Sequence, residues 1–392
     1  MQASARIRAI HAGGGHGWEI LERARAMRRA GRAVIDLTIG EHEAPTPAPI
    51  VEAMAASARA GNTRYAAVTG TPELRAAVAA RVASRTGAPC TPEEIAVTVG
   101  GQMALSYAFH ACLDPGDAAV ILDPFYPPYP GTLHAAGARV RVAPSLPDDG
   151  FQPDLEALDR ACEGARALLI NTPHNPTGAV YRPETIEALA EIARRRNLWL
   201  ISDEVYDGMV WSGTHRSPRA LPGMAERTVV IGSLSKSHAM TGFRLGWAVA
   251  PAPLARLMGD LALNLAYGLP GFVQDAGLFA LTRAGAAEGA LRETFRRRRD
   301  VAAAALAGHD AVRLSAPDGA MYVMLDIRAT GIDGRTFAAA LLDAEGVAVM
   351  PGESFGASAA GHLRVALTAP DEALADALRR IARFAETRRA PP

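Results

Sequence analysis

Between about residues 71 and 249 the chain alternates short, unbroken apolar runs with stretches of helical period. The runs are IAVTV before Gly100, AAVIL before Asp123, ALLI before Asn171, LWLI before Ser202, TVVI before Gly232, and RLGWAVA. Runs of this length, without polar alternation, fit strands buried on both faces; interleaved with helices, they predict a largely parallel sheet. The distinctive residues fall at the ends of these runs, at positions 100–102, 123–129, 171–178, 203–206 and 233–236. A parallel sheet brings its carboxyl ends to one edge, where ligands bind, so these five segments are predicted to share one cleft.

Helix starts are marked by Thr71 as an N-cap with Pro72 in the first turn, and by Pro183 opening a segment to Arg196. A further helical pattern covers residues 18–31 and is expected to join a second domain or a subunit interface. After about residue 285 the rhythm changes to a long Ala/Arg helix, the strand-like MYVMLDI, a helix from Gly334, the strands VAVM and HLRVAL, and a final helix from Pro370. The fold class expected is α/β, with a large domain at residues 48–285. Residues 1–47 and 286–392 are expected to form a smaller α+β domain and an N-terminal arm. The run Arg296 to Arg299 reads as a solvated helix face. The glycine-rich stretch Gly13 to Gly17 lacks a preceding strand and reads as a flexible arm, not a dinucleotide loop.

With 392 residues, 49% hydrophobic, 21% charged and no formal net charge, the composition is that of a globular protein. It offers no clustered basic excess to a nucleic acid or a membrane. Cys90, Cys112 and Cys162 are far apart and odd in number, which argues against a disulfide framework or a metal site. No signal-peptide pattern or membrane-length apolar stretch is present, so a cytoplasmic location is expected.

Composition changes the picture at one position. Of 41 Lys and Arg residues only Lys236 is a lysine. Arginine keeps its proton in proteins, whereas an amine can lose it, attack a carbonyl carbon and form a Schiff base. The stretch SLSKSHAMTGFRLGW sets Ser233, Ser235 and Arg244 around that amine, two hydroxyls and a guanidinium able to hold a phosphate. In VTVGGQ, Gly101 and Gln102 enter a helix and could offer backbone N–H groups to the same phosphate. Asp203 ends an apolar run and suits a protonated ring nitrogen, or a plain helix N-cap. Tyr206 and Asn175 could donate to a phenolic oxygen, although Asn175 with Pro176 also reads as an ordinary turn.

In combination and order, these segments resemble the aspartate-aminotransferase superfamily, the fold-type-I enzymes that use pyridoxal 5′-phosphate. The resemblance is carried by IDLTIGEHEAPTP, RYAAVTGTPELR, VTVGGQ, DPFYPPYP, NTPHNPTG, ISDEVY, SLSKSHAMTGFRLGW and HLRVAL, and covers almost the whole chain. It implies a mostly parallel sheet of the seven-stranded type and a ping-pong aminotransferase that exchanges amino acid for 2-oxo acid. Lys236 would carry the cofactor as a Schiff base and act as base, Asp203 would pair with the ring nitrogen, Tyr206 and Asn175 would bond its phenolic oxygen, and Tyr126 would stack on the ring. The phosphate would fall to Gly101, Gln102, Ser233, Ser235 and Arg244, with Tyr65 reaching across from the other subunit of a homodimer. Arg364 would grip the substrate carboxylate, with Asn175 and the backbone at Gly40. His42, Tyr126 and Gln102 depart from the family's more usual proline, tryptophan, and lysine or serine.

Within the superfamily, LALNLAYGLPGFVQDA, FRRRRD and GESFGASAAGHLRVAL resemble the arginine:pyruvate transaminase branch and related enzymes that act on guanidino amino acids in antibiotic assembly. Such a donor requires an acidic or carbonyl-rich pocket, for which Glu41, Glu43, Asp123 and Asp275 are available. Of the histidines, His238 reads as packed, and His174 has the better claim to face the cleft. Two alternatives stay open: another specificity or reaction on the same fold, such as aspartate or aromatic transamination or β-elimination, and a non-catalytic sensor.

Overall fold

In the computed structural model, which describes residues 2–8, 10, 18–315 and 318–389, eight strands form the central sheet. Their order is Ile95–Val99, Leu245–Val249, Thr228–Ser233, Trp199–Asp203, Ala167–Asn171, Ala118–Asp123, Arg139–Leu146 and Gln152–Pro153. The middle five run parallel. Leu245–Val249 opposes both neighbours, so the two reversals return Ile95–Val99 to the common direction. The six apolar runs are all strands, as expected. The sequence reading missed Arg139–Leu146, because RVRVAPSL carries two arginines and a proline and lies near the sheet edge.

Successive strand residues face opposite sides, and the burial pattern follows this. Ala119, Ile121, Leu169, Ile201 and Ile231 pack with helices Gly100–Cys112 and Ala252–Leu265. Val120, Leu122, Leu168, Ile170 and Leu200 pack on the other face with Ile186, Leu189 and Ala193 of helix Pro183–Arg195. Each fully buried Leu or Ile contributes roughly 2 kcal/mol. The expected caps are present: Thr71 accepts from Leu74 N at the start of Pro72–Thr86, and the αL Gly87 closes that helix.

A four-stranded antiparallel sheet, in the order Arg313–Ser315, Tyr322–Asp326, His362–Ala366, Met350–Pro351, forms a second layer. Helices Trp18–Arg29, Gly285–Leu306, Gly334–Glu345 and Asp371–Glu386 share its apolar core through Ile20, Ala24, Phe295, Phe337, Leu341, Leu378 and Ile381. The expected solvated face is corrected at Arg298, which is buried and bonds to Leu367 O at 3.1 Å, Asp371 and Glu43. Successive residues turn by about 100° around a helix, so four consecutive arginines cannot all face solvent. Gly13 to Gly17 lie outside the described residues. Among those described, no helix is long and apolar enough to cross a membrane, and no group of His, Cys, Asp and Glu could hold a metal ion.

Candidate active site

The strand ends place Asp123, Asn171, Asp203 and Ser233 along one edge of the sheet, with Gly100 following Val99 at the same edge. There a cavity of about 250 Å³ opens between the two layers. Gly40, Gly101, Gln102, Tyr126, Asn175, Asp203, Tyr206, Ser233, Ser235, Lys236, Arg244 and Arg364 all line it. Of the residues expected to hold the cofactor, grip the substrate carboxylate or move the proton, only Tyr65 lies elsewhere, 87% exposed.

The half-buried Lys236 follows strand Thr228–Ser233 on the short helix Leu234–Ser237, and its Nζ donates to Gly40 O at 2.6 Å. Glycine is required at position 40, since a Cβ there would overlap the Tyr322 hydroxyl. The Tyr322 hydroxyl in turn lies 3.2 Å from that of Tyr206. His42 Nε2 lies 2.8 Å from Lys236 O and therefore carries the proton. Burial lowers the His42 pKa to about 4, which keeps the ring neutral.

Asp203 is buried without a cationic partner among the described residues, and its pKa is pushed up to about 6 by burial. The hydrogen bond from Tyr129 Oη to Asp203 Oδ2, at 2.6 Å, and one from Val205 N at 3.3 Å oppose that rise. Tyr126 packs edge-on against Tyr129 with centroids 5.4 Å apart.

Ser233 Oγ sits 2.9 Å from Ser235 Oγ, beside the start of helix Gly100–Cys112. The approach there is close: a Cβ at Gly246 would stand 2.6 Å from Gly101 N. The Gln102 side chain donates to Thr132 Oγ1 at 2.7 Å, and its backbone N–H belongs to the first turn of helix Gly100–Cys112, where N–H groups have no intrahelical partner. Arg244 donates to Thr241 O at 2.7 Å from an αL backbone.

Arg364 is buried in the opposite wall. It donates to Asn175 Oδ1 at 3.0 Å and to Thr38 O, and lies against the rings of Tyr322 and Phe355 at 4.5 and 4.6 Å. Its buried Nε has no hydrogen-bond partner. The guanidinium nevertheless lines the cavity, where its charge and remaining N–H groups suit a carboxylate.

Several sequence candidates fall outside this cavity. Asp123 caps the turn at Ala357 N and Ser358 N, at 2.8 and 3.1 Å, while Glu43 pairs with Arg298 and Asp275 accepts from Ser57 Oγ at 2.6 Å. Glu41 is exposed and accepts from Thr241 Oγ1 at 2.8 Å. His174, read as facing the cleft, is buried with Nδ1 2.7 Å from Thr177 Oγ1, where its bond fixes the loop. His238 is packed, bonded to Ser237 at 2.8 Å. Sequence reasoning missed Tyr129 and Tyr322. Tyr129 had a signal in DPFYPPYP, where it stands three residues, one helical turn, beyond Tyr126.

The family model for aminotransferase class I and II matches residues 32–381. The chain is 44% identical over 383 residues to the arginine–pyruvate transaminase AruH of Pseudomonas aeruginosa, covering 97% of this chain and 98% of that one. It is 40% identical over 368 residues to the aspartate/prephenate aminotransferase of Thermus thermophilus, covering 92% and 93%. A solved Thermus thermophilus aspartate aminotransferase with maleate superposes with a TM-score of 0.91 at 37% identity, covering 98% of this chain and 100% of that one. An amine set in a cavity with a buried carboxylate, two serines, a helix start and an unsatisfied arginine accords with these matches: the chain belongs to the class I and II aminotransferases, enzymes that work with pyridoxal 5′-phosphate.

Proposed function

We propose that this aminotransferase takes the amino group from a guanidino-type, arginine-like amino acid and passes it to a 2-oxo acid in a ping-pong cycle, as a homodimer with shared active sites. One observation carries the choice of donor. Among the described residues of this chain lining the cavity the cations are Lys236, Arg244 and Arg364, each with a role of its own, so a counterion for the second carboxylate of an acidic donor would have to come from the partner subunit. The 44% identity to an arginine–pyruvate transaminase supports the same reading, although aspartate/prephenate aminotransferases follow at 40%.

The residues present fit the cofactor. Asp203, buried without a cation, would pair with a protonated ring nitrogen. Ser233, Ser235, Arg244 and the backbone N–H groups of Gly101 and Gln102 would hold the phosphate, where the helix start adds its favourable field. Tyr126 would stack on the ring, and Tyr206 and Asn175 would donate to its phenolic oxygen. When bound, the cofactor supplies a carbonyl that condenses with amines and a ring that spreads negative charge from the reacting carbon.

The chain's own groups do the rest. Arg364 and Asn175, with the backbone at Gly40, fix the substrate carboxylate and so orient the Cα–H bond toward Lys236. The Lys236 amine would take that proton and hold it at Nζ for return. Tyr65, exposed in its own protomer, reaches the phosphate of the partner subunit's site.

The reading is tested by a donor screen with pyruvate as acceptor. Arginine and cyclic guanidino analogues are expected to show at least about tenfold higher kcat/KM than aspartate, as one well-paired polar contact would give. Faster turnover of aspartate or of aromatic donors would remove the guanidino assignment.

A second expectation concerns Tyr129. In Tyr129→Phe the Asp203 carboxyl loses a donor that favours its ionised form, so its pKa rises further above the usual carboxylate range. In the cofactor-free protein, the pH at which the buried carboxyl ionises and the fold loses stability should therefore move up, read from thermal unfolding of wild type and variant across pH 4–8. An unmoved transition would show that the phenol does not tune Asp203.

A further inference from the structure

Lys236 is held at both ends by one short segment of chain. Its Nζ donates to Gly40 O at 2.6 Å, and its own carbonyl oxygen lies 2.8 Å from His42 Nε2. That carbonyl belongs to a helix of only four residues, Leu234–Ser237. Ala239, two residues past the helix, has φ of 52°, so the helical path stops before a later amide can reach Lys236 O. The neutral His42 ring supplies the missing donor, which the proline more usual at this position could not.

The segment that carries Gly40 and His42 is itself fixed. Upstream, Arg364 donates to Thr38 O, and Thr368 Oγ1 to Ile39 O at 3.2 Å. Downstream, Glu43 pairs with the buried Arg298. The His42 ring stands edge-on to Phe295 of helix Gly285–Leu306, with centroids 5.1 Å apart. The ring is thus placed by the same layer that carries Arg364.

Packing alone does not press this segment onto the lysine's turn. A cavity lies where the two meet, lined by Glu41, His42 and Thr46 together with Ala239, Thr241 and Phe243. Side-chain bonds join them instead: Thr46 Oγ1 to Ala239 O at 2.5 Å, Thr241 Oγ1 to Glu41 at 2.8 Å, and His42 to Lys236 O. Of these three, the last alone ends on the lysine.

The register between the layers matters for the reaction. Arg364, on the antiparallel sheet, holds the substrate carboxylate in the reading above, and Lys236, at the edge of the central sheet, moves the proton. Residues 38–42 bridge the two, bonded to Arg364 at one end and to Lys236 at the other. A misplacement of about 1 Å between reacting groups costs on the order of 100-fold in rate.

We infer that His42 is a positioning residue: by holding the Lys236 carbonyl it keeps the amine in register with the carboxylate grip at Arg364. This rests on the roles proposed above for Lys236 and Arg364. It holds for any donor, because every amino acid presents the same carboxylate and Cα–H bond.

The test is steady-state kinetics of the His42→Leu and His42→Gln holoenzymes, with pyruvate as acceptor and arginine or aspartate as donor, whichever wild type turns over faster. His42→Leu removes the N–H, and kcat should fall at least about tenfold with the donor KM within about twofold of wild type. A glutamine amide places an N–H where Nε2 stands, so His42→Gln should keep kcat within about threefold of wild type. His42→Asn, whose amide ends near the Nδ1 position, should lose as His42→Leu does, and decides the matter if His42→Leu fails to fold. A second readout needs no turnover. Lys236 is the only lysine, so labelling of the cofactor-free protein with trinitrobenzenesulfonate, followed by peptide mapping, follows this one amine. With the turn released, Nζ leaves Gly40 O more often, and labelling should quicken at least about threefold in His42→Leu and His42→Asn, as loss of one hydrogen bond allows, but not in His42→Gln. Unchanged kcat in His42→Leu and His42→Asn, a loss confined to KM, equal losses in all three variants, or labelling that does not quicken overturns the inference. Failure of the underlying roles looks different, because Lys236→Ala would then keep its activity before His42 is touched.

Discussion

Replacing Lys236 with alanine is expected to lower kcat by at least about 10⁴-fold, the upper range of what a positioned general base contributes, with covalent attachment of the cofactor lost as well. The expectation follows from composition and geometry together. The chain contains no other lysine to take over, and each arginine is too basic to serve. Neutral His42 touches the Lys236 backbone carbonyl and lines no part of the cavity. Stopped-flow single-turnover kinetics and borohydride treatment followed by peptide mapping would check it. Turnover within tenfold of wild type, or a reduced adduct on any other residue, would sink the assignment of the amine.

Asp203→Asn is expected to cut kcat on the order of 10³-fold, as removal of one preorganised charge does in other active sites, while stabilising the cofactor-free protein at pH 8. The sign follows from linkage. The Asp203 pKa rises from 3.8 in the unfolded chain to about 6 in the folded one. Its contribution to stability is therefore fully present below about pH 4 and lost as pH climbs through 6. Above that, the buried carboxylate costs the cofactor-free protein on the order of 3 kcal/mol, which an amide avoids while still accepting from Tyr129. Thermal unfolding of cofactor-free wild-type and variant protein at pH 4.5 and 8 measures this. A variant Tm advantage that fails to grow between the two pH values would refute the account. The same desolvation that makes Asp203 costly alone makes it a strong partner for a protonated ring nitrogen, so stability and activity pull in opposite directions at this position.

The parts of the site legible in the sequence are those whose signal is local. A lysine among arginines stands out by chemistry alone. Asp203, Asn171 and Ser233 each close an unbroken apolar run, and a parallel sheet leaves such residues one edge on which to meet. The start of Pro72–Thr86 was readable because Thr71 and Pro72 act through backbone geometry within one turn. Arg139–Leu146 was not, since a strand near the sheet edge keeps polar residues and a proline that a central strand would exclude.

Other features depend on where distant segments come to rest. Tyr129 reaches Asp203 across 74 residues of chain, and Arg364 meets Asn175 across 189. Of the four carboxylates considered for a cationic substrate, three were spent elsewhere: Asp123 on the turn at Ala357, Glu43 on Arg298 and Asp275 on Ser57 and Asn62. A carboxylate reads the same in sequence whether it caps a turn, pairs with an arginine or faces a ligand; its neighbours alone distinguish these.

By itself, then, the amino-acid order determined the strand-and-helix rhythm, the edge of the sheet that carries chemistry, and the amine at its centre, because periodicity and side-chain reactivity are properties of short segments. Tertiary structure alone decided which groups satisfy Asp203 and Arg364, which carboxylates are withdrawn from the cavity, and that Tyr65 stands exposed outside the cavity of its own chain. Those outcomes depend on burial and on hydrogen bonds between segments far apart in the chain, which take definite form only once the two sheets have packed.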